Sequence, residues 1–112
     1  MIESYEFGIM VINGIVYKSD LIVYPDRVES GWWREKGHSL SMNDLKGILD
    51  FHPDIIVIGT GYHGAMDVPS ETIKALASHS IEVIVQKTPQ AFQTYNKQAE
   101  SCLAVGAFHL TC

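Results

Sequence analysis

The sequence predicts an α/β domain of three layers, with helices packed on a mixed β-sheet that has a parallel strand–helix–strand core. The N-terminal third is expected to contribute an antiparallel hairpin. Four consecutive aliphatic residues, at positions 55 to 58, end at a glycine-rich loop, and such an unbroken run is typical of a strand buried on both faces. A helical pattern and a second aliphatic run follow, so the segment from Ile55 to Val85 is expected to form a right-handed parallel crossover. Near the N-terminus, Asn13-Gly14 separates two short apolar runs, and this pair favours the type I′ turn of a hairpin.

The first third of the chain is predicted to be rich in β-structure. Glu6 to Tyr17 is expected to form the hairpin, and Leu21 to Tyr24 a third short strand that ends at Pro25-Asp26. Residues 27–40 show neither helical nor strand periodicity, so this segment is predicted to be irregular.

The remainder is predicted to alternate between helices and strands. Ser41 with Asp44 three residues later resembles a capping box, and it opens a helix that His52-Pro53 closes. Four further elements are expected: a helix from Pro69 to Ser80, a strand from Ile81 to Val85, a helix from Thr88 to Ala99, and a last strand within Cys102–Leu110.

Length and composition indicate one domain, residues 1–112, because 112 residues of which 46% are hydrophobic can bury a single core. The net charge of −5 disfavours nucleic-acid binding, which normally needs a basic face. No apolar run approaches the roughly 20 residues of a membrane span, and the N-terminus lacks the pattern of a secretory signal. Cys102 and Cys112 are not spaced like metal ligands or a redox pair, so we expect reduced thiols, a cytoplasmic location and no metal site.

The segment Gly59 to Gly64 matches the G-x-G-x-x-G pattern of dinucleotide-binding loops. A dinucleotide site is not expected, because no helix begins within the glycines and no acidic residue ends the next strand. Two interpretations stay open. The glycines either permit a sharp turn with positive φ, or they form a small concave site whose amides, with the helix N-terminus at 88, face one anion. The residues of that ligand or anion site would be Thr60, Gly61, Tyr62, His63, Gly64, Lys87 and Thr88.

No catalytic constellation is recognisable in the sequence. His63 is the histidine best placed for chemistry, yet no serine, cysteine or carboxylate lies at a recognisable spacing from it. The other histidines form no pair at metal-binding spacing. The sequence therefore predicts no catalytic residue and no cofactor, and it favours a protein that is not an enzyme.

Trp32 and Trp33 are adjacent in the irregular segment and precede Arg34. Neighbouring side chains of an extended chain point to opposite sides, so we expect one tryptophan to pack into the core and the other to lie over its edge. Because exposed tryptophan is enriched at interfaces, Trp32, Trp33 and Arg34 are the predicted partner-binding residues.

The run from Pro53 to Gly61, Thr88 followed by Tyr95-Asn96, and the apolar segment 104–110 together resemble a small family of domains of unknown function. That family includes the mitochondrial respiratory complex I assembly factor and the adipogenesis-associated cytosolic protein of animals. The resemblance covers essentially the whole chain and is greatest to the single-domain archaeal members. It implies a three-layer α/β domain with a mixed sheet and no established enzymatic activity, and its eukaryotic members act through protein partners. At 100–102, before the last strand, Glu-Ser-Cys replaces a segment in which the family often has a basic residue.

Two hypotheses about function follow from these observations. The first is a non-catalytic protein-interaction or assembly module that uses the tryptophan segment. The second is a small-ligand or anion-binding domain, with or without catalysis, that uses the Gly59–Gly64 loop and the helix N-terminus at Thr88. An edge strand of the hairpin leaves room for a homodimer, although no residue requires one.

Overall fold

The fold, taken from a computed structural model that describes residues 1–112, contains two β-sheets and three α-helices. A 3-10 turn at Met42–Leu45 directly precedes the first helix. The strands are β1 Ile2–Glu6, β2 Ile9–Ile12, β3 Ile15–Tyr17, β4 Leu21–Val23, β5 Val28–Ser30, β6 Ile55–Thr60, β7 Glu82–Gln86 and β8 Ala104–His109. The helices are α1 Lys46–Phe51, α2 Ser70–Ser78 and α3 Thr88–Ala99.

The larger sheet is mixed and has the strand order β5-β4-β8-β6-β7. Strand β6 pairs in parallel with both β7 and β8, whereas β4 pairs antiparallel with β5 and β8. Every residue of β6 is buried, as the unbroken aliphatic run predicts for a central strand. The predicted mixed sheet with a parallel strand–helix–strand core is therefore confirmed.

The two faces of this sheet carry different layers, because alternate residues of a strand point to opposite sides. Ile55 and Val57 pack on one side, with the small sheet and α3. Ile56 and Ile58 pack on the other side, with α1 and α2. The arrangement is thus three layers around the central sheet. None of its helices has the length and apolar character that a membrane crossing requires.

The N-terminal third differs in detail from the prediction. Strands β2 and β3 form the expected hairpin around Asn13-Gly14, where φ is positive at both residues. A further strand, β1, precedes them and is joined to β2 by a turn at Gly8, so the hairpin is part of a separate three-stranded antiparallel sheet. The predicted boundary at Glu6 was wrong because β1 has few apolar residues: in Ile2–Glu6 only Ile2 is buried.

The segment predicted to be irregular contains one short strand, β5, whose Val28 pairs with Val23 of β4. The predicted helix at 41–52 begins as the 3-10 turn and continues as α1. The carboxylate of Asp44 accepts hydrogen bonds from the backbone N–H and the hydroxyl of Ser41, at 3.0 and 3.1 Å. His52 ends α1 in the left-handed conformation (φ 61°) and donates its N–H to the carbonyls of Ile48 and Leu49.

Candidate functional site

The glycine loop, defined as residues 61–65, follows β6 at the end of the sheet where the carboxyl ends of the parallel strands lie. In open α/β sheets this end is the usual place for a ligand. Here three backbone donors of the loop are bonded to residues that follow β8. The N–H of Tyr62 donates to the carbonyl of Thr111 at 2.7 Å, and those of His63 and Ala65 donate to the carbonyl of Cys112 at 3.1 and 3.0 Å. An anion would have to displace residues 111–112 to reach these amides.

Gly61 makes this close approach possible. Its φ of +106° is strained for any residue with a Cβ. A Cβ at this position would lie 2.5 Å from the carbonyl carbon of Cys112 and 2.7 Å from Cδ2 of His109. Both the conformation and the contact therefore require glycine. Gly64 also has a positive φ, +78°, and the side chain of Lys87 packs over it.

Thr88, at the start of α3, is fully buried and joins three elements. Its hydroxyl donates to the carbonyl of His109 at 2.7 Å and accepts from the N–H of Gly61 at 2.9 Å. Its own N–H donates to the carbonyl of Gly61 at 3.1 Å. The hydroxyl of Thr60 likewise donates to the carbonyl of Gln86 at 3.2 Å. The polar groups of Thr60 and Thr88 thus tie β6, β7, β8 and α3 together.

Two predicted ligand residues, Tyr62 and His63, point to the surface and meet Phe7 from the small sheet. Ring centroids are 5.0 Å apart for Tyr62–His63, 6.0 Å for Phe7–Tyr62 and 6.2 Å for Phe7–His63. Phe7 and Tyr62 are 49% and 44% exposed. We call these three side chains the aromatic patch. Beneath it lies Tyr5, whose hydroxyl donates to the carbonyl of Leu110 at 2.7 Å.

The tryptophan loop, defined as residues 31–39, contains the three predicted partner-binding residues, and their side chains lie in different environments. Trp32 is half-buried and its indole N–H donates to the carbonyl of Asp44 at 3.0 Å. The guanidinium of Arg34 lies 4.7 Å from the centre of the Trp32 ring, and Arg34 is itself buried. Trp33 is 74% exposed. Only Trp33 therefore presents most of its side chain to solvent.

A buried polar network lies behind this loop, formed by Asp20, Arg34 and His109. One carboxylate oxygen of Asp20 lies 2.8 Å from Nη2 of Arg34 and 2.8 Å from Nδ1 of His109. The other accepts the N–H of Leu110 at 2.7 Å. Burial alone would raise the pKa of Asp20, but the hydrogen bonds from His109, Leu110 and Arg34 outweigh it and lower that pKa to about 2.

Two nitrogens of this network are buried without a hydrogen-bond partner, Nη1 of Arg34 and Nε2 of His109. Nδ1 of His109 lies 2.8 Å from the carboxylate oxygen of Asp20 and 3.2 Å from Nη2 of Arg34. The His109 ring abuts Gly61. The network therefore places a carboxylate, a guanidinium and an imidazole at the same end of the sheet as the glycine loop.

Sequence reasoning missed this network because its members are separated by 14 and 75 positions and match no motif. The one available signal was weak: Asp20 and His109 are the polar residues that border two apolar runs. No group of three or more His, Cys, Asp or Glu side chains is arranged to hold a metal ion.

Comparisons with known proteins agree on the fold. The model of a family described as protein of unknown function (DUF498/DUF598) matches residues 2–110. A conserved hypothetical protein from Pyrococcus horikoshii OT3 is 26% identical with a TM-score of 0.89, over 100% of this chain and 99% of the other. A protein called MT938 is 25% identical with a TM-score of 0.81, over 100% and 98%. A Mth938-like domain protein of Bordetella pertussis is 18% identical with a TM-score of 0.75, over 98% and 85%.

Proposed function

This chain belongs to the DUF498/DUF598 family of proteins of unknown function, and we propose that it is a non-catalytic protein-interaction module that binds a partner through Trp33. The family resemblance seen in the sequence is confirmed, but neither the family nor the relatives compared above carry an activity in their names. The proposal places the domain in the cytoplasm, where the exposed thiols of Cys102 and Cys112 would stay reduced.

The observation that carries the proposal is the exposure of Trp33 on a loop that is held on both sides. Before it, the N–H of Gly31 donates to the hydroxyl of Ser19 at 3.0 Å, and the N–H of Trp32 donates to the carbonyl of Asp20 at 2.9 Å. After it, the N–H of Glu35 donates to the carboxylate of Asp44 at 3.1 Å. A partner would thus meet a tryptophan on a backbone that is already ordered.

A backbone that is already ordered favours tight binding, because a flexible loop loses conformational entropy when it becomes fixed in a complex. Tryptophan is also among the residues most enriched at interface positions that dominate the binding energy, where truncation to alanine costs about 2 kcal/mol or more. Arg34 contributes indirectly, since its ion pair with Asp20 and its stacking on Trp32 hold the loop.

The experiment compares capture of partners from extract of cells that express the protein. The bait is the wild-type domain, Trp33→Ala, or Phe7→Ala as a matched control from the aromatic patch. We expect proteins recovered with the wild type and Phe7→Ala to be lost with Trp33→Ala, and a photoreactive phenylalanine analogue at 33 to crosslink to them. Equal recovery with Trp33→Ala and wild type would contradict the proposal. Loss with Phe7→Ala alone would assign binding to the aromatic patch instead.

The second candidate function is anion binding beside the glycine loop, and Nη1 of Arg34, a buried donor without a hydrogen-bond partner, supports it. Phosphate is the probe, with chloride at equal ionic strength as control. At 100 times its dissociation constant, phosphate would stabilise the domain by about 2.7 kcal/mol. That would raise the melting temperature by several degrees in the wild type and not in Arg34→Gln. An unchanged melting temperature in phosphate would reject this candidate.

A further inference from the structure

A cleft opens on the side of the molecule where the small sheet, β4–β5 and the C-terminal half of α3 meet. Its volume is about 580 Å³, within the range of roughly 300–1,000 Å³ that is usual for small-molecule sites. Ten of its 16 lining residues are hydrophobic. The apolar wall comes from several elements, with Ile12, Val23, Val28, Ala99, Leu103 and Ala104 among its members.

The polar groups along this wall are nearly all bonded within the protein. The side-chain oxygen of Asn96 accepts the N–H of Ile2 at 3.0 Å, and its amide donates to the carbonyl of Ile2 at 2.8 Å. The hydroxyls of Tyr24 and Tyr95 are the exceptions, and that of Tyr24 is sealed from solvent. The ring of Tyr95 is buried against Phe108, but its hydroxyl makes no hydrogen bond to the protein and is not sealed from solvent. The cleft therefore offers one solvent-accessible, unpartnered phenol in apolar surroundings.

The charged groups at the mouth do not favour an anion. Arg27 pairs with Asp26 at 3.1 Å and with Glu29 at 3.4 Å. The ammonium of Met1 donates to the side chain of Asn13 at 3.0 Å. Both cations are thus already engaged. Glu100, also at the mouth, has no ion pair, so an incoming carboxylate or phosphate would meet repulsion without compensation.

We propose that this cleft binds an uncharged, mainly apolar small molecule that accepts a hydrogen bond from the Tyr95 hydroxyl. Burial raises the pKa of Tyr95, so the phenol stays protonated and able to donate at physiological pH. The site is independent of Trp33, and its lining includes none of the residues of the tryptophan loop or the glycine loop. The domain would then respond to a small molecule as well as to a partner.

Nile red, an uncharged apolar dye with a carbonyl acceptor, is a suitable probe because its fluorescence rises in apolar sites. We expect saturable binding of one dye to the wild type. Ala99→Trp should abolish it by filling the cleft, whereas Ala77→Trp, which adds the same side chain to an exposed position of α2, should bind like the wild type. Tyr95→Phe should weaken binding by about two- to tenfold, the usual effect of one neutral hydrogen bond.

The far-ultraviolet circular dichroism of each variant reports whether it is folded. If Ala99→Trp does not fold, Leu103→Trp replaces it, because Leu103 is 42% exposed at the mouth and tolerates a larger side chain. Absence of saturable binding to the wild type would overturn the proposal. Equal binding by the wild type and the folded cleft-filling variant would also overturn it, since the dye would then lie elsewhere. If Tyr95→Phe bound the dye as tightly as the wild type, the Tyr95 hydroxyl would not donate a hydrogen bond to it, and that part of the proposal would be wrong.

Discussion

The glycine loop and the tryptophan loop are both irregular segments, but the structure uses them in opposite ways. In the glycine loop the backbone is engaged: the amides of Tyr62 and His63 are bonded to the carbonyls of residues 111 and 112. In the tryptophan loop the neighbours of Trp33 are bonded, while Trp33 itself stays 74% exposed. The glycine pattern, which is typical of ligand-binding loops, here forms hydrogen bonds to residues 111 and 112. The tryptophan loop, which matches no pattern, carries the most exposed aromatic side chain.

The difference shows how glycine and tryptophan act on a loop. Because Gly61 has no side chain, the backbone of the glycine loop can lie against the backbone of Cys112. This contact stabilises the fold itself. Trp33 adds a large apolar surface that the protein does not cover, and our proposal assigns that surface to a partner.

Gly61→Ala is expected to destabilise the domain by about 3–5 kcal/mol, because it adds left-handed strain and a clash with the carbonyl of Cys112. Urea unfolding followed by circular dichroism measures the effect. Gly37→Ala is the control, since nothing lies within 4 Å of its added methyl and its φ is ordinary. A loss below 1 kcal/mol at Gly61 would show that residues 111–112 do not hold the loop.

Thr88→Val is expected to cost about 3 kcal/mol, because it leaves the N–H of Gly61 and the carbonyl of His109 buried without partners. Thr88→Ser keeps the hydroxyl and should lose less than half as much. The same urea titration compares the two variants. Similar losses for both would mean that the methyl group contributes as much to stability as the hydrogen bonds of the hydroxyl.

Stability should depend on Asp20 at acid pH. The folded pKa of Asp20 is about 2, below its ordinary value of 3.8, so ionisation favours the folded state. The contribution, about 2 kcal/mol, is present above pH 4 and is lost as the pH falls through 2. Urea unfolding of the wild type and of Asp20→Asn between pH 7 and pH 2 isolates it. The difference in unfolding free energy between the wild type and Asp20→Asn should decrease as the pH falls from 4 to 2. A difference that does not change with pH would contradict the ion pair.

The smallest effect on stability is expected for Trp33→Ala, within about 0.5 kcal/mol, because the side chain packs on little of the protein. Its effect on partner binding should be about 30-fold, equivalent to about 2 kcal/mol. Trp32→Ala should instead destabilise the domain by about 2 kcal/mol, because it removes packing and the bond to Asp44. Thermal unfolding separates the two. Equal destabilisation would show that Trp33 is structural.

Much of the fold could be predicted because its signals are local. The aliphatic run at 55–58 identifies β6, and Asn13-Gly14 identifies the turn between β2 and β3. Strand β1 could not be predicted, because its stability depends on pairing with β2 rather than on an apolar pattern of its own. The expectation of one packed and one exposed tryptophan agrees with the positions of Trp32 and Trp33.

The candidate site was less predictable, because its residues meet only through topology. Asp20, Arg34 and His109 lie before β4, after β5 and at the end of β8, and only the strand order brings these points together. Gly61 and Gly64 have positive φ, as the turn interpretation of the glycine segment requires. No sequence pattern indicated that residues 111 and 112 would accept the hydrogen bonds of the loop. Whether the Thr60–Gly64 segment binds a ligand stays a prediction.

Amide hydrogen exchange of Tyr62, His63 and Ala65, followed by NMR in chloride and in phosphate, tests most directly that the glycine loop is closed from within. We expect slow exchange for all three amides in both salts, because each donates to residue 111 or 112. Fast exchange, or amide signals that shift with phosphate, would contradict it and return the loop to the role of an anion site.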